Sequence, residues 1–413
     1  MDKRIRIVVT FVYFMAFLGI AMPYPIMTPM FMDGLLVSPF SAEVGLGIAL
    51  AVYPLGLFLG GGVLGSYSDK HGRRPVLLVS LVITTLGTVW SGWAILENDF
   101  WQLVVSRLVT GFFEANGSIA RAMLIDKEKG PSKASSFALL SVGGYAGYLF
   151  GPILGGFLAD IGNVATPFLA AGIMGLAALV MAAAWLPETN GHVLAGGEKR
   201  ARPSVISMLK NHSMFRHLLF AQFLLTIGIN SFYQFYPLML SNRWQAGPLM
   251  IAQMNIFFTG AMIFFAVFGV HRLERVLSLG KKLIFAGIIH AILMLVMLGA
   301  VDPLHAVIIG TFMGFAVATM NAGLPAFLSR ETPDLEQGAV MGALTSSFCL
   351  AQSLVSVFGG WVASESRGQT ELYARWGIEN WELTFVIGSV AALLGVMQVQ
   401  VIRRRMARPQ LAE

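Results

Sequence analysis

The chain has very little charge and almost no cysteine. Only 12% of its 413 residues are Asp, Glu, Lys or Arg, and the single cysteine, Cys349, lies in an apolar run. One cysteine allows neither a disulfide framework nor a cysteine metal site. The sequence also lacks a Walker loop, a nucleophile elbow and a close His/Asp/Glu cluster. We therefore expect no catalytic residues, no metal and no cofactor, and we do not expect an enzyme.

Apolar residues are abundant instead. They make up 56% of the chain, and the mean hydropathy is +0.71. A membrane-spanning helix needs about 20 mostly apolar residues, and such segments run almost from end to end. The net charge of +6 does not indicate nucleic acid, because the basic residues fall in short segments between apolar runs. The composition predicts an all-α membrane protein in a lipid bilayer, with no nucleic-acid partner.

Twelve apolar segments fall into two sets of six. They are predicted near 7–31, 43–68, 75–96, 100–124, 134–160 and 166–186, and near 213–241, 249–270, 281–300, 304–328, 337–363 and 382–402. Gly72-Arg73-Arg74 at the start of span 3 and Gly280-Lys281-Lys282 at the start of span 9 indicate two copies of one unit. We predict a six-helix N-terminal half over 1–187, a cytoplasmic linker over 188–212 and a six-helix C-terminal half over 213–413.

Basic residues are distributed unevenly between alternate loops. If both termini are cytoplasmic, 24 of the 28 Lys and Arg residues lie on the inner side, three lie outside and Arg107 lies within a span. Cytoplasmic loops of membrane proteins carry an excess of Lys and Arg. The pattern therefore predicts a multi-pass protein of the cell inner (cytoplasmic) membrane with both termini in the cytoplasm.

The loop between spans 2 and 3 carries a spaced set of glycine, acidic and basic residues. Its spacing, Gly65-x-x-x-Asp69-x-x-Gly72-Arg73-Arg74, resembles the signature loop of the major facilitator superfamily. We expect Gly65 to allow close helix approach, Asp69 to accept hydrogen bonds and Gly72 to permit a tight turn. The resemblance implies that the loop latches the cytoplasmic gate. Basic residues that only set topology would explain the arginines but not the glycine and aspartate spacing.

Span 1 contains three closely spaced prolines, Pro23, Pro25 and Pro29, and resembles the first-helix motif of the twelve-span drug exporters. Prolines kink helices and free backbone carbonyls, which need partners in a membrane. We expect the kinked stretch to face the protein interior or a wet cavity. The alternative is a purely structural role.

Span 5 has glycines at every fourth position. Gly147, Gly151 and Gly155 form a flat face for a neighbouring helix, and Pro152 and Gly156 complete the pattern G-x-x-x-G-P-x-x-G-G. This pattern resembles the superfamily motif associated with proton antiport. It implies export rather than uptake.

Span 4 contains charged residues at steps of seven, Arg107, Glu114 and Arg121, close to one helical face. Charges are costly in hydrocarbon, so this face should line the bundle interior or water. Arg107-x-x-x-Gly111-x-x-x-Ala115 resembles the fourth-helix motif of the family, whose arginine is linked to proton movement. We expect Glu114 and Arg107 to couple protons to transport. The alternatives are a structural ion pair, or an Arg121 that marks the cytoplasmic end.

Polar and aromatic residues form a stripe along one side of span 7, and isolated polar residues occur in spans 2, 10 and 11. The predicted substrate-cavity residues are Tyr53, Thr226, Asn230, Tyr233, Gln234, Asn321 and Gln352. Such side chains orient an amphipathic ligand by stacking and hydrogen bonds. Hydrogen bonding between helices is the alternative reading of this stripe.

Together these motifs resemble the drug:proton antiporter branch of the superfamily, which includes the tetracycline and multidrug efflux proteins. The resemblance implies a monomeric secondary transporter that exports a small amphipathic molecule or drug in exchange for protons. Two alternatives within transport are export of an endogenous metabolite, such as a siderophore or sugar, and uptake by symport. A membrane enzyme or a non-transporting sensor would belong to a different class.

Overall fold

The computed structural model describes residues 3–114, 116–127, 132–190, 213–269, 272–273, 276–330, 337–365 and 379–407. In this part of the chain all regular secondary structure is helical, as the composition predicts. The first set of helices is α1 (Lys3–Ala21), α2 (Tyr24–Met32), α3 (Ala42–His71), α4 (Arg73–Leu96), α5 (Phe100–Phe113), α6 (Asn116–Lys127), α7 (Ser132–Ile161) and α8 (Thr166–Trp185). The second set is α9 (Ser213–Trp244), α10 (Pro248–Phe264, continued by a π-helical turn, Phe265–Gly269), α11 (Leu279–Leu298), α12 (Pro303–Arg330), α13 (Gln337–Glu365) and α14 (Glu382–Ala407).

Eleven helical segments among the described residues are long and apolar enough to cross a membrane, the first being α1 and α2 together. The remaining span consists of α5 and α6, which are 14 and 12 residues long and are separated at Glu114. The prediction of twelve spans is confirmed. The expectation of one continuous helix over 100–124 is wrong, because the backbone leaves the helix at Glu114, where φ is −75° and ψ is 43°.

The prolines of span 1 break the helix as predicted. The chain leaves α1 at Ala21 and re-enters a helix at Tyr24, because Pro23 and Pro25 carry no N–H to donate to the preceding turn. The backbone N–H of Met22 still donates to the Leu18 carbonyl at 2.9 Å. The carbonyls that lose their donors are those of Gly19 and Ala21, four residues before the two prolines. Ala21 is buried and Gly19 lines an internal cavity, so both lie inside the protein and away from lipid.

Contacts divide the chain into two compact units. Unit 1 comprises Met1–Arg200 and Ala246–Ile256, and unit 2 comprises Ala201–Gln245 and Phe257–Glu413. The predicted limits of the two halves stay a prediction. Residues 191–212 of the predicted linker lie outside the described residues.

Helices α3 and α5 of unit 1 pack with their backbones in contact. A Cβ added at Gly56 or Gly60 of α3 would meet backbone atoms between Leu108 and Phe112, and a Cβ at Gly111 would meet the carbonyl of Tyr53. Small residues allow such close approach of two helices in a membrane. This packing places Arg107 of span 4 against Tyr53 of span 2.

The glycine face expected for span 5 is present. Helix α7 packs along α1. A Cβ at Gly147, Gly151 or Gly155 would meet backbone atoms of α1 and of the residue that follows it, Met22. The glycine face of α7 therefore packs directly against the backbone of span 1 near its break.

Unit 2 is built around α14, which packs on both α9 and α11. At one end of the unit the Arg243 guanidinium donates to the carbonyls of Leu298 and Ala300 at 2.8 and 3.0 Å. It also forms an ion pair with Glu382 and lies 4.8 Å from the centre of the Trp381 ring. This arginine joins the ends of α9, α11 and α14.

Candidate functional site

The break in span 4 positions the carboxylate of Glu114. Asn116, which begins α6, donates from its side-chain amide to Glu114 Oε1 at 3.1 Å and to Thr84 Oγ1 at 3.3 Å. Asparagine and glycine are poor residues for a helix interior, and Asn116 and Gly117 stand next to the break. Asn116 is 1% exposed and Glu114 is half-buried, so the carboxylate is held at a polar position between α5, α6 and α4.

Arg107 of α5 is the second charged residue near this position. Its guanidinium is 4.5 Å from the centre of the Tyr53 ring and 6.0 Å from that of Phe168, which is the geometry of a cation–π interaction. The side chain is 9% exposed, and its Nε has no hydrogen-bond partner in the described part of the chain. Arg107 and Glu114 do not form an ion pair within 4.0 Å, since α5 ends between them. The alternative of a structural ion pair between these two residues is therefore not the arrangement observed.

These residues line a cavity inside unit 1. Arg107, Glu114 and Tyr53, all predicted as site residues, line it together with Asn116. The remaining polar walls are hydroxyl groups of Thr84, Thr85, Thr88 and Thr110. About 40 Å³ of the cavity is within reach of the centre of a water molecule. That is room for about three waters, at roughly 10–15 Å³ each.

Arg121 does not share this cavity. Its guanidinium donates to the Tyr13 hydroxyl at 2.7 Å and lies 5.8 Å from the centre of the Tyr13 ring. The helix break at Glu114 ends the common face that the seven-residue spacing predicts. Sequence reasoning also missed Asn116 and the four threonines, because uncharged polar residues are ordinary in membrane helices.

The spaced loop between spans 2 and 3 forms a tight turn that contains a buried, ion-paired arginine. Gly72 separates α3 from α4 with φ of +104°, a conformation that favours glycine. Arg73 is 6% exposed and forms ion pairs with Asp69 at 2.6 Å and with Asp126 of α6 at 3.1 Å. The Arg74 guanidinium donates to the Ala183 carbonyl at 2.8 Å.

Gly65 is the exception in this motif. No atom of the described chain lies within 4 Å of the position that a Cβ would take there. The expectation of close helix approach at Gly65 is therefore wrong for its own unit. Its carbonyl instead accepts a hydrogen bond from the Ser68 hydroxyl at 2.8 Å.

Glu188 supports the same turn and was missed in the sequence. Its two carboxylate oxygens accept from the backbone N–H groups of Arg73 and Arg74 at 2.9 and 3.0 Å. They also accept from the N–H groups of Thr189 and Asn190, both at 2.8 Å. Burial would raise the pKa of Glu188, but these four donors outweigh it and hold the pKa below its usual range. The first residues after span 6 thus cap the N-terminus of α4.

The other predicted substrate-cavity residues lie in unit 2, and none of them lines the unit 1 cavity. Asn230 donates to the Thr226 carbonyl within α9, and the Tyr233 hydroxyl lies 3.6 Å from the sulfur of Met262. Gln234 is buried and Gln352 is half-buried, whereas Asn321 is exposed. Their role in substrate binding stays a prediction.

Twelve spans in two repeated sets, with charged groups around an internal polar cavity, define a multi-pass membrane transporter. The family model for the Major Facilitator Superfamily matches residues 9–302 and, in an overlapping second match, residues 218–412. The chain belongs to this family. It is a membrane-embedded transporter of small molecules, and neither its homologues nor its fold are those of enzymes.

Curated relatives include efflux proteins. The chain is 27% identical to the class C tetracycline resistance protein of Escherichia coli, with 91% of each chain covered. It is also 27% identical to the PmrA homolog of Lactococcus lactis subsp. lactis, a multi-drug resistance efflux pump, with 76% of each covered. The crystal structure of a D-xylose-proton symporter superposes with a TM-score of 0.78 at 17% identity, covering 95% of this chain and 96% of that one. That similarity concerns the fold alone.

Proposed function

We propose that this protein is a proton-coupled antiporter that exports a small amphipathic molecule or drug by alternating access. The observation that carries the proposal is the Glu114 carboxylate, which sits at a helix break on the wall of a polar cavity shared with the buried Arg107. The tetracycline-resistance and multidrug-efflux relatives support the direction and the substrate class. We further propose that it acts as a monomer in the cell inner membrane, with both termini cytoplasmic.

The chemistry of the cavity supports proton uptake at Glu114. An ionised Glu114 offsets the charge of Arg107, whereas a protonated Glu114 leaves a net positive charge inside unit 1. Buried charges are costly in a membrane protein, so the two protonation states differ in electrostatic free energy. Such a difference allows proton binding to favour one access state while substrate favours the other.

Asn116 suits both protonation states of Glu114. Its amide N–H donates to Glu114 Oε1, which is the bond that an ionised carboxylate needs. Its amide oxygen has no partner among the described residues and is available to accept from a protonated carboxyl group. Both forms of the acid therefore find a hydrogen bond within the cavity wall.

The loop from Gly65 to Arg74 is proposed as the latch of the cytoplasmic gate. Its ion pairs join α3, α4 and α6, so they would respond to movement of any of these helices. Thr226, Asn230 and Gln234 of α9 remain the proposed substrate contacts, with Tyr233, Asn321, Gln352 and Tyr53 as further candidates.

The test is proton flux in sealed vesicles that contain the purified protein, with tetracycline and a fluoroquinolone as candidate substrates. For the wild type we expect substrate-dependent proton movement opposite to substrate movement, and for Glu114→Gln we expect no coupling. Asp302→Asn is the matched control, because this acid is half-exposed in a loop and should leave coupling unchanged.

Three outcomes contradict parts of the proposal. Coupling that survives Glu114→Gln removes this residue as the proton carrier. Movement of proton and substrate in one direction indicates symport and rejects export by antiport. Loss of coupling in Asp302→Asn as well would show that the assay reports charge or folding, and not the cavity.

A further inference from the structure

Basic side chains converge at the end of unit 2 where α9 and α11 begin and α14 ends. We name as the basic patch His217 of α9, Lys281 of α11, and Arg403, Arg404 and Arg405 of α14. Two contacts join the three helix ends. Arg405 Nη1 lies 2.9 Å from His217 Nε2, and a Cβ added at Gly280 would meet the stem of Arg403. Residues that are far apart in sequence therefore form one surface.

His217 acts as a neutral hydrogen-bond acceptor in this patch. A guanidinium can only donate, so His217 Nε2 must accept from Arg405 and the ring proton must sit on Nδ1. The side-chain nitrogen of Gln398 lies 2.8 Å from Nδ1, and turning this amide by 180° would bring its oxygen there to accept from the Nδ1 proton. Arg405 is oriented by a neutral partner, which leaves its positive charge uncompensated.

Among the described residues, no acidic side chain pairs with the cations of the patch. Residues 213–220, 278–285 and 400–407 contain no Asp or Glu. Lys281, Arg403 and Arg404 form no ion pair with any described residue. Lys281, Arg404 and Arg405 are exposed. Several cations held together without a counter-charge favour the binding of an anion.

Exposed apolar side chains continue the patch along the same helix faces. Phe285 is four residues after Lys281 and is 44% exposed. Val401 is four residues before Arg405 and is 42% exposed, and Met397, one turn further, is 61% exposed. Residues four apart on a helix lie on one face. A soluble anion would use only the cations, whereas a lipid would use the cations and the apolar faces together.

We propose that the basic patch binds the headgroup of an anionic phospholipid, with the acyl chains against Phe285, Val401 and Met397. Basic pockets between membrane helices suit the phosphate of such lipids. The inference rests on membrane embedding alone and not on the direction of transport or on Glu114.

The test is native mass spectrometry of the purified full chain, delipidated and titrated with phosphatidylglycerol or phosphatidylethanolamine. We expect the wild type to retain phosphatidylglycerol in preference. Each basic residue of the cluster that holds the headgroup contributes about a fivefold factor in affinity for anionic lipid. The double variant Arg404→Gln/Arg405→Gln should therefore lose about thirtyfold in affinity for phosphatidylglycerol, with no change for phosphatidylethanolamine.

The matched control is Lys70→Gln/Arg272→Gln, which removes the same charge from two exposed positions outside the patch. It should bind phosphatidylglycerol like the wild type. An equal loss in the control, or wild-type retention by Arg404→Gln/Arg405→Gln, overturns the proposal and leaves the basic residues as determinants of orientation only. Competition by soluble glycerol phosphate at concentrations matching the lipid would likewise overturn it, because the apolar faces would then contribute nothing.

Folding of each variant is checked by its elution volume and helical content. If the double variant does not fold, Lys281→Gln provides the same test with a single charge. Its expected effect is about a fivefold loss in affinity for phosphatidylglycerol. Wild-type affinity in a folded Lys281→Gln protein would count against the patch.

Discussion

Gly60 and Gly61 are neighbours on α3 with opposite surroundings. A Cβ at Gly60 would overlap the backbone of Phe112 on α5, whereas no atom of the described chain lies within 4 Å of a Cβ at Gly61. Gly60→Ala should destabilise the protein by about 1–3 kcal/mol, the usual range for overpacking. Gly61→Ala should be neutral or stabilise it by up to about 1 kcal/mol, since alanine is the better helix former.

Thermal unfolding of both variants in detergent measures this difference. A Gly60→Ala protein as stable as Gly61→Ala would mean that α3 and α5 are not in backbone contact. Because Gly111 sits in the same contact, that result would also remove the packing that places Arg107 against Tyr53.

Sequence reasoning finds some residues of the site and not others for a physical reason. Arg107 and Glu114 stand out because ionisable groups are rare in apolar spans. Asn116 does not stand out, and its contact with Glu114 depends on a helix break that hydropathy does not reveal. Asp126 and Glu188 reach Arg73 from 53 and 115 residues away in sequence, so only the packed structure brings them together.

At the scale of elements, α4 begins with a cap supplied from outside the helix. The first N–H groups of a helix have no partner within it, and Glu188 accepts from those of Arg73 and Arg74. Glu188→Gln removes the charge and replaces one acceptor oxygen by a donor. We expect a loss of about 1 kcal/mol in the free energy of unfolding at neutral pH, comparable with the loss of an N-cap.

The pH dependence of this cap has a definite sign. Burial raises the pKa of Glu188, but the backbone N–H donors outweigh burial. The pKa is therefore held below its usual value of 4.5. The cap is therefore fully stabilising above pH 4.5 and is lost as the pH falls through the lowered pKa. Thermal unfolding should show the wild type and Glu188→Gln differing at pH 7 and converging below pH 4.5.

Glu97 offers the control for this prediction. It also stands at an end of α4, but its position is the C-cap and its side chain is exposed. Glu97→Gln should leave the stability at pH 7 unchanged, because this exposed side chain caps no N–H group of the helix. A constant difference between wild type and Glu188→Gln down to pH 3 would contradict the proposed titration of the cap.

The helices and their breaks can be predicted from the sequence to different degrees. Long apolar runs and prolines locate most spans and the break between α1 and α2, because both signals are local. The break between α5 and α6 is not visible in hydropathy, and the predicted linker does not begin as a free segment, since Thr189 and Asn190 are buried. Asn190 donates to the Asp69 carbonyl of α3, and the neighbouring Glu188 accepts from the Arg73 N–H of α4; no local pattern encodes these contacts.

For the whole molecule, the orientation in the membrane follows from the alternation of twelve spans. The turn between α3 and α4 and the loop between α11 and α12 are separated by an odd number of crossings, so they must lie on opposite sides. Basic residues concentrate on the side of the α3–α4 turn, which predicts that this side is cytoplasmic. This assignment also decides which gate the Asp69–Arg73 ion pair would latch.

Cysteine labelling tests the orientation with few substitutions, because the only native cysteine, Cys349, is buried. We expect a membrane-impermeant maleimide to label Asp302→Cys in intact cells and to label Lys70→Cys only after permeabilisation. Lys70 is exposed and Asp302 is half-exposed, so access is set by the membrane and not by packing. The wild type, with Cys349 alone, is the control and should stay unlabelled. The reverse labelling pattern would mean that the protein has the opposite orientation in the membrane. The ion pair at the α3–α4 turn would then latch the outer gate and not the inner one.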